Sequence, residues 1–182
     1  LHRNRREDRW VATRRKTAPN PLDTLDQIID YIANCGYEPL AAPGECMSYS
    51  NEGYALLSYV VDQAAGMPLE QFLKERVYNP LGMTRTVLDE DATEAIKMAG
   101  GNITSLFDMS NGVLTCDDEW SVAPPYRGCG WVKSTARDMA AYYRFLSNMG
   151  MHEGRQAIPR EAVETLIGIG FAADKRHTYA YG

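Results

Sequence analysis

The stretch Pro43-Gly44-Glu45-Cys46-Met47-Ser48-Tyr49-Ser50-Asn51-Glu52-Gly53-Tyr54-Ala55-Leu56-Leu57 decides how the other residues of this 182-residue chain are read. Its first half is irregular: Pro43-Gly44 signals a turn, and no apolar residue recurs with a regular period before Tyr49. Its second half predicts a helix, with Ser50 or Asn51 placed to cap it and aliphatic residues running from Ala55 into Val60-Val61. Tyr49 and Asn51 therefore stand two residues apart at the mouth of a helix. Residues at i and i+2 share no helix face. In an extended or turn segment they point to the same side, so both can face a cleft. The positive end of the helix dipole also favours the anionic form of a phenol whose ordinary pKa is about 10. Without further context the plain readings of these residues stand. Tyr49 is a half-buried aromatic whose hydroxyl bonds a backbone carbonyl, and Asn51 is a helix N-cap.

Upstream and downstream, helices dominate. Thr24 predicts a cap, and Leu25, Ile28, Ile29 and Ile32 follow at i, i+3, i+4 and i+7, an amphipathic stripe that Gly36 ends. Residues 37–47 read as loop. The central helix is expected from about Asn51 to Ala65 with Gly66 as its stop. Because Leu56, Leu57, Val60, Val61 and Ala64 cover more than one face, it is expected to be the most buried helix. Pro68 opens a further helix whose apolar face is Leu69, Phe72, Leu73 and Val77. Asn79-Pro80-Leu81-Gly82-Met83 is a turn, with Leu81 and Met83 expected to plug the core beneath the central helix.

From Leu88 to Arg127 the periodicity fades. Ala92 to Met98 reads as a short helix or an approach to a strand. Ser105 to Pro125, with Asn111-Gly112, Asp117-Asp118 and Pro124-Pro125, reads as a loop-rich excursion. Order returns where Ser134 or Thr135 caps a helix. Asp138 stands in a capping-box-like position, and Met139, Tyr142, Tyr143 and Leu146 form the expected buried stripe, with Gly150 as the stop. Pro159 opens a last helix through Leu166. Lys175 to Gly182 reads as the start of a strand whose partners are missing, with Tyr179 and Tyr181 on one face. The expected fold class is mainly α with little β. Residues 1–20 form a basic arm or linker remnant, and residues 21–182 form one helical domain.

Charge is distributed unevenly. The first sixteen residues carry +5 and the remainder −10, which together give the net −5. The arm has only Trp10 to stack on bases, and the acidic body repels a phosphate backbone, so nucleic acid is not an expected partner. No run of 18 apolar residues predicts a membrane span. No signal-peptide pattern follows Leu1, and localisation stays undetermined. Cys35, Cys46, Cys116 and Cys129 show no Cys-x-x-Cys spacing and read as buried or free thiols. His2, His152 and His177 lie far apart in sequence, so no metal or other cofactor is expected.

Two runs carry a resemblance. Tyr49-Ser50-Asn51, with Pro43-Gly44 ahead and Gly53-Tyr54, Leu56-Leu57, Gly66, Phe72, Pro80-Leu81-Gly82-Met83 and Thr86 behind, resembles the Tyr-x-Asn segment of the serine β-lactamase and penicillin-binding protein superfamily, in its class C-like branch. Gly128-Cys129-Gly130-Trp131-Val132-Lys133-Ser134-Thr135-Ala136-Arg137-Asp138-Met139 resembles the glycine-rich lead into a Ser-Thr-Ala-x-Asp helix start in the same branch. That branch includes β-lactamases, D-Ala-D-Ala carboxypeptidases, D-aminopeptidases and esterases.

The resemblance implies the helical part of the β-lactamase/transpeptidase-like α/β fold and acyl transfer through a serine ester. It implies Tyr49 as general base and acid, sharing a proton with a neighbouring lysine, and Asn51 as the amide that orients that lysine and holds a substrate amide. The implied partners are a small-molecule or peptide substrate and the α/β half of the same protein. The family's Ser-x-x-Lys occurs nowhere in the sequence. Lys-Thr-Gly is absent as well, and His152-Glu153-Gly154 matches His-x-Gly only as a string, in a place that reads as a turn. The chain therefore looks like the middle of a larger enzyme. The alternative is a non-catalytic helical module that keeps the architecture and binds a peptide or partner.

Overall fold

The computed structural model describes residues 24–36, 38–42, 45, 48–88, 93–117, 124–168, 171–172 and 178–179. The basic arm, the Pro43-Gly44 turn, Cys46 and the tail from Lys175 to His177 with Tyr181 lie outside the described residues.

Helix α1 (Leu25–Asn34) begins in a reciprocal capping box. Thr24 Oγ1 accepts from the Gln27 amide at 3.3 Å, and the Thr24 amide donates to Gln27 Oε1 at 3.0 Å. Helix α2 (Asn51–Ala65) ends at Gly66, whose φ of 65° is the left-handed cap a side chain would resist. Helix α3 (Leu69–Leu73) has Pro68 just outside its first turn and runs on as a π-helical turn, Lys74–Tyr78. Short strand β1 (Val87–Leu88) and helix α4 (Thr93–Met98) lead to β2 (Leu106–Ser110) and β3 (Val113–Asp117). A 3-10 turn (Pro124–Cys129) and β4 (Val132–Lys133) precede α5 (Ala136–Ser147). Then come β5 (Met151–His152), β6 (Arg155–Gln156), α6 (Arg160–Ile167), β7 (Phe171–Ala172) and β8 (Thr178–Tyr179). The strands among the described residues pair only as two-stranded antiparallel ribbons: β1 with β4, β2 with β3, β5 with β6 and β7 with β8. The architecture is helical with minor β, as expected.

Among the described residues, two apolar clusters hold it together. In the larger, Tyr78, Leu81, Met83, Ala141, Phe145 and Val163 are buried, joining the π turn to α5 and α6. In the smaller, Ile28, Ala55 and Tyr126 join α1, α2 and the 3-10 turn, flanked by Cys129 and Trp131. Leu81 and Met83 do plug a core, but it lies beneath α5 and α6, not beneath α2.

Several other expectations are corrected. α2 is not clad in protein on every apolar side: Leu57 and Val60 are 56% and 57% exposed, and its buried residues are the small Ala55 and Ser58. Small residues let the 3-10 turn approach closely, so the large aliphatics point elsewhere. Tyr143 is 61% exposed. The buried positions of α5 are Asp138, Ala141 and Phe145, with Tyr142 and Leu146 packed beside them. The excursion from Ser105 to Pro125 is not simply loop. Asn111 and Gly112, with φ of 53° and 77°, turn a hairpin of two five-residue strands in which Ser110 pairs with Val113 and Leu106 with Asp117. Two positive φ values in a two-residue connection are what a right-twisted hairpin needs. Finally, Thr178–Tyr179 does have a partner strand, Phe171–Ala172.

Candidate active site

The decisive stretch folds as its chemistry dictates. Ser50 has extended dihedrals (φ −145°, ψ 117°), and its Oγ accepts from the Gly53 amide at 2.9 Å. Ser50 is therefore the N-cap of α2, and Asn51 is the first helical residue. The structural role available to Asn51 is already filled. Tyr49, one residue before the cap, has a ring 53% exposed, and among the described residues its hydroxyl bonds no backbone carbonyl, so the reading that ties the hydroxyl to the backbone does not hold. Among the described residues, neither the Tyr49 hydroxyl nor the Asn51 amide has a hydrogen-bond partner. A phenol and a carboxamide stand uncommitted at the positive end of a fifteen-residue helix.

Around them lies a supporting layer that sequence reasoning did not identify. Glu52 Oε2 accepts from the Ser50 hydroxyl at 3.2 Å, and its Oε1 accepts from the Tyr126 hydroxyl at 3.4 Å. Asp62, farther along α2, accepts from the Leu69 amide at 2.7 Å and pairs with Arg127, which also lies 3.6 Å from Glu70. Between these anchors, a Cβ on Gly128 would stand 2.3 Å from the Tyr54 carbonyl oxygen and 2.9 Å from Ser58 Cβ. Only glycine permits that approach. The Cys129 thiol donates to the Tyr126 carbonyl at 2.8 Å, and burial raises its pKa, with the Glu52 carboxylate adding to the rise. A raised thiol pKa makes a poor nucleophile, so Cys129 is a packing group. Trp131 sits at φ 69°, a costly conformation for a bulky side chain, in the middle of the second family-like run.

Asp138 departs from its expected capping-box role. Its amide donates to Thr135 Oγ1 at 3.3 Å, so Thr135 is the cap. Its buried carboxylate instead accepts from the Arg85 amide and the Thr86 hydroxyl, each at 2.8 Å. Thr86 and Ser134 hydroxyls are 2.7 Å apart. Thr86 has spent its proton on Asp138, so Ser134 donates to Thr86. The turn after the π segment is thereby tied to the start of α5. His152-Glu153-Gly154 is a hairpin turn between β5 and β6, with Glu153 and Gly154 at φ 47° and 77°. Among the described residues, no group of three or more His, Cys, Asp or Glu side chains could hold a metal, and no helix is long and apolar enough to cross a membrane.

The family model described as Beta-lactamase matches residues 5–182. Penicillin-binding protein 4* of Bacillus subtilis is 37% identical over 59 residues, which is 32% of this chain and 13% of that protein. A D-aminopeptidase of Cereibacter sphaeroides is 26% identical over 112 residues, 58% of this chain and 22% of that protein. The octameric penicillin-binding protein homologue from Pyrococcus abyssi has a TM-score of 0.62 at 22% identity, covering 83% of this chain and 32% of its own. A class C beta lactamase from Rhodobacter sphaeroides has a TM-score of 0.61 at 21% identity, covering 82% and 38%. The chain thus spans less than a quarter of these curated relatives and 32% and 38% of these structures. At such identities the structures attest the fold alone. The family match covers nearly all of the sequence, including both motif runs, and on it the chain belongs to the beta-lactamase family.

Proposed function

We propose that this chain supplies the Tyr49-Ser50-Asn51 wall of a serine-hydrolase active site that performs acyl transfer on a D-amino-acid peptide, a β-lactam or an ester. The observation that supports this most is the division of labour at the start of α2. Ser50 takes the cap, which leaves the exposed Tyr49 phenol and the Asn51 amide without structural work at the helix mouth. Polar groups placed side by side by a capped helix and left unsatisfied are suited to a substrate or a reacting neighbour.

The nucleophile comes from residues outside these 182, since the sequence holds no Ser-x-x-Lys. As that serine attacks the carbonyl, Tyr49 takes its proton, aided by the lysine of the nucleophile motif, and returns it to the leaving group. Water then hydrolyses the acyl ester with Tyr49 again as base. Asn51 donates and accepts at once, orienting the lysine and a substrate amide. D-configured peptides and amides are the first substrates to assay, because a D-aminopeptidase and penicillin-binding proteins are among the relatives.

The test is turnover by the protein expressed with its flanking coding sequence. Tyr49→Phe is expected to lower kcat by about 10²–10⁴-fold. Unchanged turnover at neutral pH would sink the assignment, and a protein that binds such peptides without turning them over would be the non-catalytic helical module.

A further inference from the structure

Glu52 divides its two carboxylate oxygens between two elements. One takes the Ser50 hydroxyl at 3.2 Å, the other the Tyr126 hydroxyl at 3.4 Å. Ser50 is the hinge of the motif: its extended dihedrals join Tyr49, outside the helix, to Asn51, inside it. Rotation at Ser50 moves the Tyr49 ring relative to the Asn51 amide. A hydroxyl has one proton, and that of Ser50 is committed to Glu52 while its lone pair serves the Gly53 amide. Tyr126 itself is buried against Ile28 and Ala55, so its hydroxyl is a fixed point.

The 3-10 turn is also fastened independently. Asp62 lies ten residues beyond Glu52, about 15 Å along the axis, and there Arg127 pairs with both Asp62 and Glu70. Gly128 is pressed against Tyr54 and Ser58 between the two anchors. Folding of the turn onto α2 therefore does not depend on the link to Glu52, and that link is free to serve the motif.

We propose that Glu52 and Tyr126 are positioning residues for Tyr49 and Asn51, fixing the hinge at Ser50 from a second element. The proposal rests on the acyl-transfer reading above. Neither residue touches substrate; each acts through Ser50. The carboxylate accepts from both hydroxyls at once. A carboxamide in its place keeps one acceptor oxygen and has to donate an N–H on the other side, so Glu52→Gln weakens the linkage by replacing a charge-assisted bond, whereas Tyr126→Phe removes the other end and keeps the ring.

The experiment compares Glu52→Gln, Tyr126→Phe, the double variant and Tyr49→Phe in the protein expressed with its flanking sequence. It reads kcat, KM and the hydrogen exchange of the Gly53 amide. Each single variant is expected to lower kcat roughly five- to tenfold with KM changed by less than about twofold. The double variant is expected to be no worse than the poorer single, because both changes cut one linkage. Exchange at Gly53 is expected to quicken in Glu52→Gln. If Tyr49→Phe collapses turnover but Tyr126→Phe leaves kcat and Gly53 exchange unchanged, the positioning role is overturned while the acyl-transfer reading survives. Losses that simply multiply in the double variant overturn it too. Turnover that survives Tyr49→Phe removes the acyl-transfer reading and this proposal with it.

Discussion

At Ser50 and Asn51 two residues with nearly equal capping ability stand side by side, and the fold uses the first. Ser and Asn rank together as N-caps, so propensity alone could not choose between them. The choice is made by where the chain turns, one residue before the first helical dihedral. Its consequence is chemical, because the residue left over is the one that carries the amide. Ser50→Ala is expected to cost about 1 kcal/mol of stability, the usual loss for an N-cap hydroxyl, in urea denaturation monitored by circular dichroism. Gly128 was legible as part of a family-like run but not for its reason, since contact with the Tyr54 carbonyl depends on a turn arriving from more than seventy residues away. Gly128→Ala is expected to destabilise by about 1–3 kcal/mol, because the nearest obstacle is backbone and cannot rotate aside. A neutral result in the same denaturation assay would mean that the turn does not sit this close.

Among elements, helices were legible and ribbons were not. Thr24, Gly66, Thr135 and Pro159 mark helix ends locally, through their own hydroxyls or dihedrals, and they stand where the sequence put them to within a residue. The Asn111-Gly112 turn was visible too. Its flanking strands were not, because Phe107, Met109, Val113 and Leu114 remain exposed and so show no clean alternation between a buried and a solvated face. Tyr143 was misplaced for a related reason: α5 buries the stripe through Asp138, Ala141 and Phe145, and a buried carboxylate is not counted by an apolar pattern. Asp138 ties α5 to the segment before β1 through two hydrogen bonds of 2.8 Å. Asp138→Ala would leave the Arg85 amide without its acceptor and take from the Thr86 hydroxyl the carboxylate it now donates to. A loss of about 2–3 kcal/mol is expected in thermal unfolding, more than for a surface aspartate.

At the scale of the whole molecule, two separate clusters among the described residues divide the work. The cluster around Phe145 supplies bulk stability, and the cluster around Ala55 holds the motif. Phe145→Ala is expected to cost about 3–5 kcal/mol. The larger cluster also buries Tyr78, whose pKa is pushed up to about 12 by burial, with Tyr142 adding to the rise. The neutral phenol is the form the fold accommodates. Its contribution is fully present below the unfolded value of about 10 and is lost as pH rises through about 12. Melting temperatures measured across that alkaline window should fall, and Tyr78→Phe should flatten the fall. A fall of equal depth in Tyr78→Phe would place the alkaline sensitivity elsewhere. The helical half of the fold was thus readable from capping and periodicity. The assembly of its clusters was not, because no local pattern brings together residues as distant in sequence as Tyr78 and Val163, or Ile28 and Tyr126.

Tyr49 and Asn51 are tested together by acylation with a fluorescent penicillin, followed in time, of the protein expressed with its flanking sequence and of its Tyr49→Phe and Asn51→Ala variants. Rapid labelling of the unmodified protein is expected, slowed about a hundredfold or more by Tyr49→Phe and also slowed by Asn51→Ala. Labelling at the same rate in all three would contradict it and leave Tyr49 and Asn51 as bystanders at the start of a helix.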